Sequence, residues 1–512
     1  MADSRDDASG VGDDDETPAV DEKLEERLTR PARDGRVALA SHQAAPSRED
    51  PVVSGVSGIL GGALGRRAAT GRSFWTPLMI VLCLTAVACV LAYLQKYPCS
   101  SGGWNVANFH YTHVCYTDIY PLYFGERLSD GYVPYFDYPV EYPVVIGGIM
   151  QVIAIVIRPL STDPAIRGFL FYILNVLVLA SCALGTAWAL VRTLGRRRPY
   201  DAVMFAVAPG VVIAAYINWD LLAVFLTAAS MLAWARSRPG WAGVLLGLAV
   251  ATKFYPFVLL GPLFVLCLRA GKLKEFGTTL LATAGTWLAL NVPIMLTATD
   301  GWSRFYEFSR SRPADWGSTW YLLQNIMPGF FGTPVADGEP PPLLNPVGTI
   351  AFGVLCTGIA LLALLAPERP RWPQLAFLTL AAFLMTNKVW SPQYVLWLLP
   401  LLVLARPRWR AFLVWQAAEI LYFLGIWWYL YDLVKPEEGL PPELYFVTLV
   451  ARLGAVAGLC GLIVRDILRP EHDTVRWWGD DDPAGGVLDG ASDRFDLRPL
   501  LPLGSSTRAA PP

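Results

Sequence analysis

The chain has 512 residues, 54% of them hydrophobic and only 16% charged, with a mean hydropathy of +0.40. These values exclude an ordinary soluble domain and point to an all-α polytopic membrane protein. A formal net charge of −2 argues against a nucleic-acid partner, and eight cysteines in so long a chain do not make a disulfide scaffold. The four histidines show no HExxH spacing, the cysteines show no CxxC, and no GxGxxG or Walker sequence is present, so neither a metal nor a nucleotide cofactor is expected.

Residues 1–70 are acidic at first (Asp13, Asp14, Asp15, Glu16), then rich in Ala, Gly and Ser. They lack the apolar periodicity of a core and are expected to be a disordered cytoplasmic tail. The first apolar run comes too late for a cleavable signal peptide. The membrane domain is expected over 71–467. Its clear spans lie near 74–96, 168–191, 199–217, 219–236, 276–297, 346–366, 410–430 and 443–465. The apolar run 240–269 is broken by Lys253 and Pro256 and flanked on both sides by basic loops (Arg236, Arg238; Arg269, Lys272, Lys274). Basic residues mark the cytoplasmic side, so the run crosses twice and turns at Lys253 on the far side. The run 373–405, with Arg369 and Arg371 before it and Arg406, Arg408 and Arg410 after it, reads the same way, with NKVWSPQ at its apex. About twelve crossings result, with both termini cytoplasmic. Residues 468–512, acidic and then Pro- and Gly-rich, are expected to be a second disordered tail.

The segment 143–158, PVVIGGIMQVIAIVIR, is short for a crossing. Counting it as a span would put Arg196, Arg197 and Arg198 outside. It reads as a juxtamembrane helix dipping into the outer leaflet. The first outer loop then runs over 97–167, and a second long outer loop over 298–345. The first contains CYTDIYPLYFGERLSDGYVPYFDYPVEYP (115–143), with Asp118, Asp137 and Glu141 set among tyrosines and prolines.

Ionisable residues at the outer span ends are costly and usually face a cavity. Asp118 can serve as the base that accepts a hydroxyl proton during sugar transfer; an inverting displacement needs one such carboxylate. The plainer reading is a solvated aspartate capping a short helix. Arg310, Arg312 and Lys388, with Lys253 in reserve, can neutralise a lipid phosphate without a metal, or simply snorkel to headgroups. Asn218 and Asp220 in INWD read first as caps of the next helix. Cys99 and Cys115, sixteen positions apart in one outer loop, can form a disulfide that fixes Asp118 or remain reduced thiols. His110 and His113 have helical spacing but no third ligand at matching spacing, so a polar loop role is favoured over a metal. The many tryptophans read as interfacial anchors.

The order CYTDIYPLY, DYPVEYP, INWDLLAV, GVLLGLAVATKFYPFVLLGP, TNKVWSPQYVLWLLPLL over roughly residues 74–465 resembles glycosyltransferase family 87, within the C-type superfamily of polyprenyl-phosphate-sugar-dependent enzymes. The resemblance implies a fold of that type with a large first extracytoplasmic loop and an active site on the same face. It also implies a donor such as decaprenyl-phosphate mannose, inverting chemistry, and an aspartate of the first outer loop as base, here Asp118. The family's EYPP-like signature appears as Glu141-Tyr142-Pro143-Val144, with Val144 in place of the second proline.

The sequence therefore reads as a plasma-membrane enzyme that moves a sugar, mannose first among candidates, from a polyprenyl phosphate to a glycolipid or glycan hydroxyl. Asp118 would be the base and Lys388, Arg310 and Arg312 the phosphate ligands. Glu141, Lys253, Asn218, Asp220, Gln393 and Tyr120 would support the site. The rival readings are a transporter or lipid flippase, which needs polar or broken segments near the bilayer midplane, and a non-catalytic scaffold.

Overall fold

The computed structural model describes residues 50–61, 75–332, 339–476 and 481–495. Six helices are long and apolar enough to cross a membrane: Pro77–Ser100, Pro164–Leu194, Leu273–Thr297, Leu344–Leu365, Trp409–Val434 and Pro442–Leu468. Shorter apolar helices cover Val144–Leu160, Asp220–Ala235, Pro239–Thr252, Tyr255–Ala270, Trp372–Thr386 and Pro392–Ala405. This is the architecture of a polytopic membrane protein.

The short helices form the centre. Nearly every side chain of Trp372–Thr386 and Val395–Ala405 is buried, and a helix that is apolar all round belongs inside a bundle. By contrast, the apolar window of Leu344–Leu365 is only 6% buried, which places that helix at the lipid-facing edge. The two runs expected to cross twice are each interrupted at the expected place, near Lys253 and over 387–391. Gly243 and Gly247 bring Pro239–Thr252 tightly against Leu273–Thr297, for a Cβ on Gly243 would lie 2.3 Å from the Thr279 carbonyl oxygen. Thr283 donates back to the Gly243 carbonyl at 3.1 Å, a small-residue contact typical of membrane helices.

The segment 199–217 is not the continuous span that its hydropathy suggests. It is helical only over Pro199–Ala202, Val203–Ala206 and Pro209–Ala214. Pro209 offers no N–H and breaks the ladder. The freed backbone is satisfied from outside: Gln416, 1% exposed, accepts from the Gly210 N–H at 2.8 Å. Irregular backbone at this depth is tolerated where protein surrounds it. The segment 143–158 forms a separate helix, Val144–Ile157, about 21 Å long at 1.5 Å per residue, too short to cross unaided.

Both tails also differ from expectation. Residues Pro51–Gly61 are helical, and Asp50 caps that helix at Val52 (2.9 Å) while accepting from the Trp409 N–H at 3.0 Å. Residues 470–476 and 481–495 are folded onto one end of the bundle. Asp473 pairs with Arg371 at 2.8 Å, Asp493 pairs with Arg269 and Arg369 at 2.8 Å each, and Trp234 donates to the Gly485 carbonyl at 2.7 Å. The acidic run that reads as a solvated tail is the counter-charge of the basic loops. The remaining tail residues lie outside the described residues.

Cys99 and Cys115 are joined as a disulfide, with a Cα separation of 5.8 Å, both fully buried. Both should resist alkylation until the protein is reduced; labelling of both in unreduced protein would contradict the bond. Arg371→Met leaves Asp473 buried without its partner and should cost about 3–5 kcal/mol. Thermal unfolding in detergent reads the loss, and an unchanged midpoint would contradict it.

Candidate active site

Asp118 is held by backbone as much as by side chains. The disulfide ties the preceding residues to the end of the Pro77–Ser100 helix. Thr117 Oγ1 donates to the Tyr216 carbonyl at 2.7 Å, and the Asp118 N–H donates to the Ile217 carbonyl at 2.8 Å. The first loop is thereby bolted to the INWD turn some hundred residues on. Asp118 stands at the start of the Ile119–Gly125 helix, but its side chain makes no capping bond; it faces the cavity instead.

That cavity has a volume of about 760 Å³. One wall comes from the first loop and INWD turn (Tyr116, Asp118, Glu141, Tyr142, Asn218), another from Lys253, Phe254 and Tyr255. The amphipathic helix Thr299–Ser311 and its continuation bring Phe305, Tyr306, Arg310, Arg312, Asp315 and Trp316. The NKVWSPQ apex adds Asn387, Ser391 and Gln393, and Trp427 closes the aromatic side. Most of the polar lining comes from helix ends and loops, with Phe305, Tyr306 and Trp427 contributed from within helices. Arg269 and Arg371, at the far ends of the helices that begin or end at this cavity, mark the opposite face.

Both oxygens of the Asp118 carboxylate are engaged. Tyr116 Oη donates to Oδ1 at 2.6 Å, and Asn218 Nδ2 donates to Oδ2 at 2.8 Å. Asn218 Nδ2 also donates to Tyr142 Oη at 2.8 Å, while its Oδ1 accepts from Lys253 Nζ at 3.2 Å. Lys253 in turn pairs at 3.4 Å with Asp220, whose Oδ1 accepts from Trp397 Nε1 at 2.7 Å. Burial raises the Asp118 pKa above the ordinary 3.8, and the Tyr116 and Asn218 hydrogen bonds hold part of that rise back. A carboxylate has roughly four acceptor positions, so about two remain for a ligand.

Charge elsewhere in the cavity is arranged differently. Arg310 and Arg312 form no ion pair among the described residues; Arg312 lies over the Phe308 ring at 5.1 Å. Glu141 pairs with Arg304 at 3.4 Å at the half-exposed rim. Behind it, Glu126 is 4% exposed, and burial followed by the Glu141 charge pushes its carboxyl up to about 7. Asp315 is fixed through its N–H to the Lys388 carbonyl at 2.7 Å. Burial raises its pKa, with the Arg312 charge working against the rise.

Of the residues singled out from sequence, Asp118, Glu141, Asn218, Lys253, Arg310, Arg312 and Gln393 meet in this cavity. Lys388, Tyr120 and Asp220, expected to bind phosphate or support the site, do not line it. Lys388 is 8% exposed and donates to the Arg310 carbonyl at 2.7 Å, so it braces that arginine rather than reaching a phosphate; burial and Arg312 lower its pKa to about 8. Tyr120 stacks on Trp104 at 4.2 Å. Asp220 is buried beneath the floor, where it holds Lys253. The capping role expected for Asn218 and Asp220 is also absent: the following helix has no side-chain cap bond, because both side chains serve this network. Sequence reading missed Tyr116, Tyr142, Asp315 and Arg452. Arg452, fully buried, lies between the Trp390 and Tyr422 rings, pairs with Glu419 at 3.1 Å, and donates to the Trp390 and Ser391 carbonyls at 2.9 and 3.1 Å. It fixes the Ser391–Gln393 wall. A lone arginine inside an apolar span was the signal for it. Among the described residues no three His, Cys, Asp or Glu side chains are grouped as a metal site requires.

No curated protein matches the chain. The family model described as Glycosyltransferase family 87 matches residues 152–392, a stretch that holds Asn218, Lys253, Arg310 and Arg312 and begins after Asp118. That match supports assigning the chain to glycosyltransferase family 87, as a membrane glycosyltransferase.

Proposed function

We propose that the protein transfers a sugar, mannose in the first instance, from a polyprenyl phosphate to a hydroxyl of a glycolipid or glycan, with inversion, at the extracytoplasmic face of the cell membrane. The observation that carries this reading is one cavity holding a hydrogen-bonded carboxylate, Asp118, together with two arginines, Arg310 and Arg312, that form no ion pair among the described residues. The acceptor oxygen attacks C1 of the sugar as its proton passes to Asp118. The C1–O bond breaks, and its electron pair leaves with the polyprenyl phosphate. Arg310 and Arg312 offset the charge that gathers on that phosphate. Tyr116 and Asn218 keep the carboxylate ionised and aimed, and the raised pKa makes it a better proton acceptor than a solvated aspartate. Lys388, through the Arg310 carbonyl, steadies the phosphate side.

The side of the membrane is inferred from charge. Arg198, Arg269, Arg371 and Arg406 lie at the end of the bundle away from the cavity, tied to Thr474, Asp493, Asp473 and Asp466. Basic residues favour the cytoplasm, which puts both termini inside and the cavity outside.

Membranes supplied with labelled polyprenyl-phosphate mannose should transfer label to lipid, and Asp118→Ala and Asp118→Asn should each lose about 10²–10⁴-fold in rate. Full transfer by both variants would remove Asp118 from the mechanism. The base must be ionised to act, so the rate should fall with decreasing pH through a midpoint above the usual carboxylate value of 3.8. An acid limb at or below that value would contradict the buried, hydrogen-bonded carboxylate. Transfer should also survive EDTA, since Arg310 and Arg312 supply the charge; loss that is restored by a divalent metal would refute this.

A further inference from the structure

Asn218 fits its surroundings in only one orientation. Its Oδ1 faces the Trp219 N–H at 2.6 Å and Lys253 Nζ at 3.2 Å, two groups that can only donate. Its Nδ2 therefore supplies both protons on the other side, to Asp118 Oδ2 and Tyr142 Oη, each at 2.8 Å. A phenol oxygen that accepts a hydrogen bond must point its own O–H elsewhere. Among the described residues no acceptor takes that proton, and Tyr142 borders the cavity.

The ring cannot swing the hydroxyl away. Tyr142 packs edge-on against Trp219 at 5.4 Å, with Lys253 Nζ above its face at 5.5 Å, and Tyr135 Oη donates to the Tyr142 carbonyl at 2.9 Å. Burial and the neighbouring Asp118 push the phenol well above its ordinary pKa, so it stays protonated. The cavity thus presents a carboxylate oxygen and a free O–H next to each other, held by the same amide nitrogen. A ligand that matches this pair brings one hydroxyl that donates to Asp118 and, beside it, an oxygen that accepts from Tyr142. Adjacent oxygens on a sugar or cyclitol ring have that pattern; a lone alcohol or an amine does not.

We infer that Tyr142 is a specificity-determining residue that reads the oxygen neighbouring the reacting hydroxyl, so that the acceptor is a vicinal diol of a sugar or cyclitol ring. The inference rests on Asp118 being the base that takes the reacting hydroxyl's proton.

The test is transfer from polyprenyl-phosphate mannose to octyl α-D-mannopyranoside and to its 2-, 3- and 4-deoxy analogues, with product linkage identifying the reacting hydroxyl. In the wild type, removing the oxygen next to that hydroxyl should lower kcat/KM roughly threefold to tenfold, the worth of one neutral hydrogen bond. Tyr142→Phe keeps the ring and its packing. It should lose a similar factor on the full acceptor and nothing further on the analogue, so that discrimination disappears. Equal discrimination in wild type and Tyr142→Phe, or an equal loss on all acceptors, overturns the inference and leaves the base assignment standing. A wild type that transfers to none of the four overturns both.

Discussion

The amide of Asn218 stands between the Asp118 carboxylate and the Lys253 ammonium, and it satisfies both only in one orientation. Its oxygen takes the Lys253 ammonium and its nitrogen serves Asp118. Everything that shapes the site converges on this side chain. The broken 199–217 segment delivers it, with Pro209 preventing a straight helix and Gln416 repairing the backbone. The Gly243 and Gly247 contact sets the helix whose end carries Lys253. Asp220, two residues on, supplies the counter-charge without which a largely desolvated lysine would be costly.

The opposite end of the bundle is organised by the same rule. Arg269, Arg369 and Arg371 sit where apolar helices meet, and each finds an aspartate in the segment that follows the last long helix. Pairing that deep is poor evidence of net stabilisation, since desolvation offsets much of the attraction, yet removing one partner leaves a stranded charge. The C-terminal segment is therefore as much a part of the fold as the helices it covers. It covers the end away from the cavity.

Sequence made the site legible where a polar residue interrupts an apolar run. Asp118, Asn218, Lys253 and Gln393 were visible as polar residues at the ends of spans, and topology placed them on one face. It could not say which way a side chain points. Lys388 looked equivalent to Arg310 and Arg312 but turns back to a carbonyl, and Tyr120 turns to Trp104. Tyr116 and Tyr142 did not stand out among the many tyrosines of the first loop: Tyr116 matters through Asp118, two residues on, and Tyr142 through Asn218, 76 positions away. Glu419 and Arg452 lie inside spans read as uniformly apolar. The C-terminal acids read as solvated because their partners lie more than 100 residues upstream. Pairings at that separation leave no local pattern.

The central claim is that Asp118 and the two arginines work on the same lipid-linked sugar. The most direct measurement is a structure of the protein with polyprenyl-phosphate mannose bound. The account predicts the phosphate at Arg310 or Arg312 and the sugar inside the cavity with C1 turned toward the space beside Asp118. A donor seated outside this cavity, or with its phosphate on the face closed by the C-terminal segment, would contradict it.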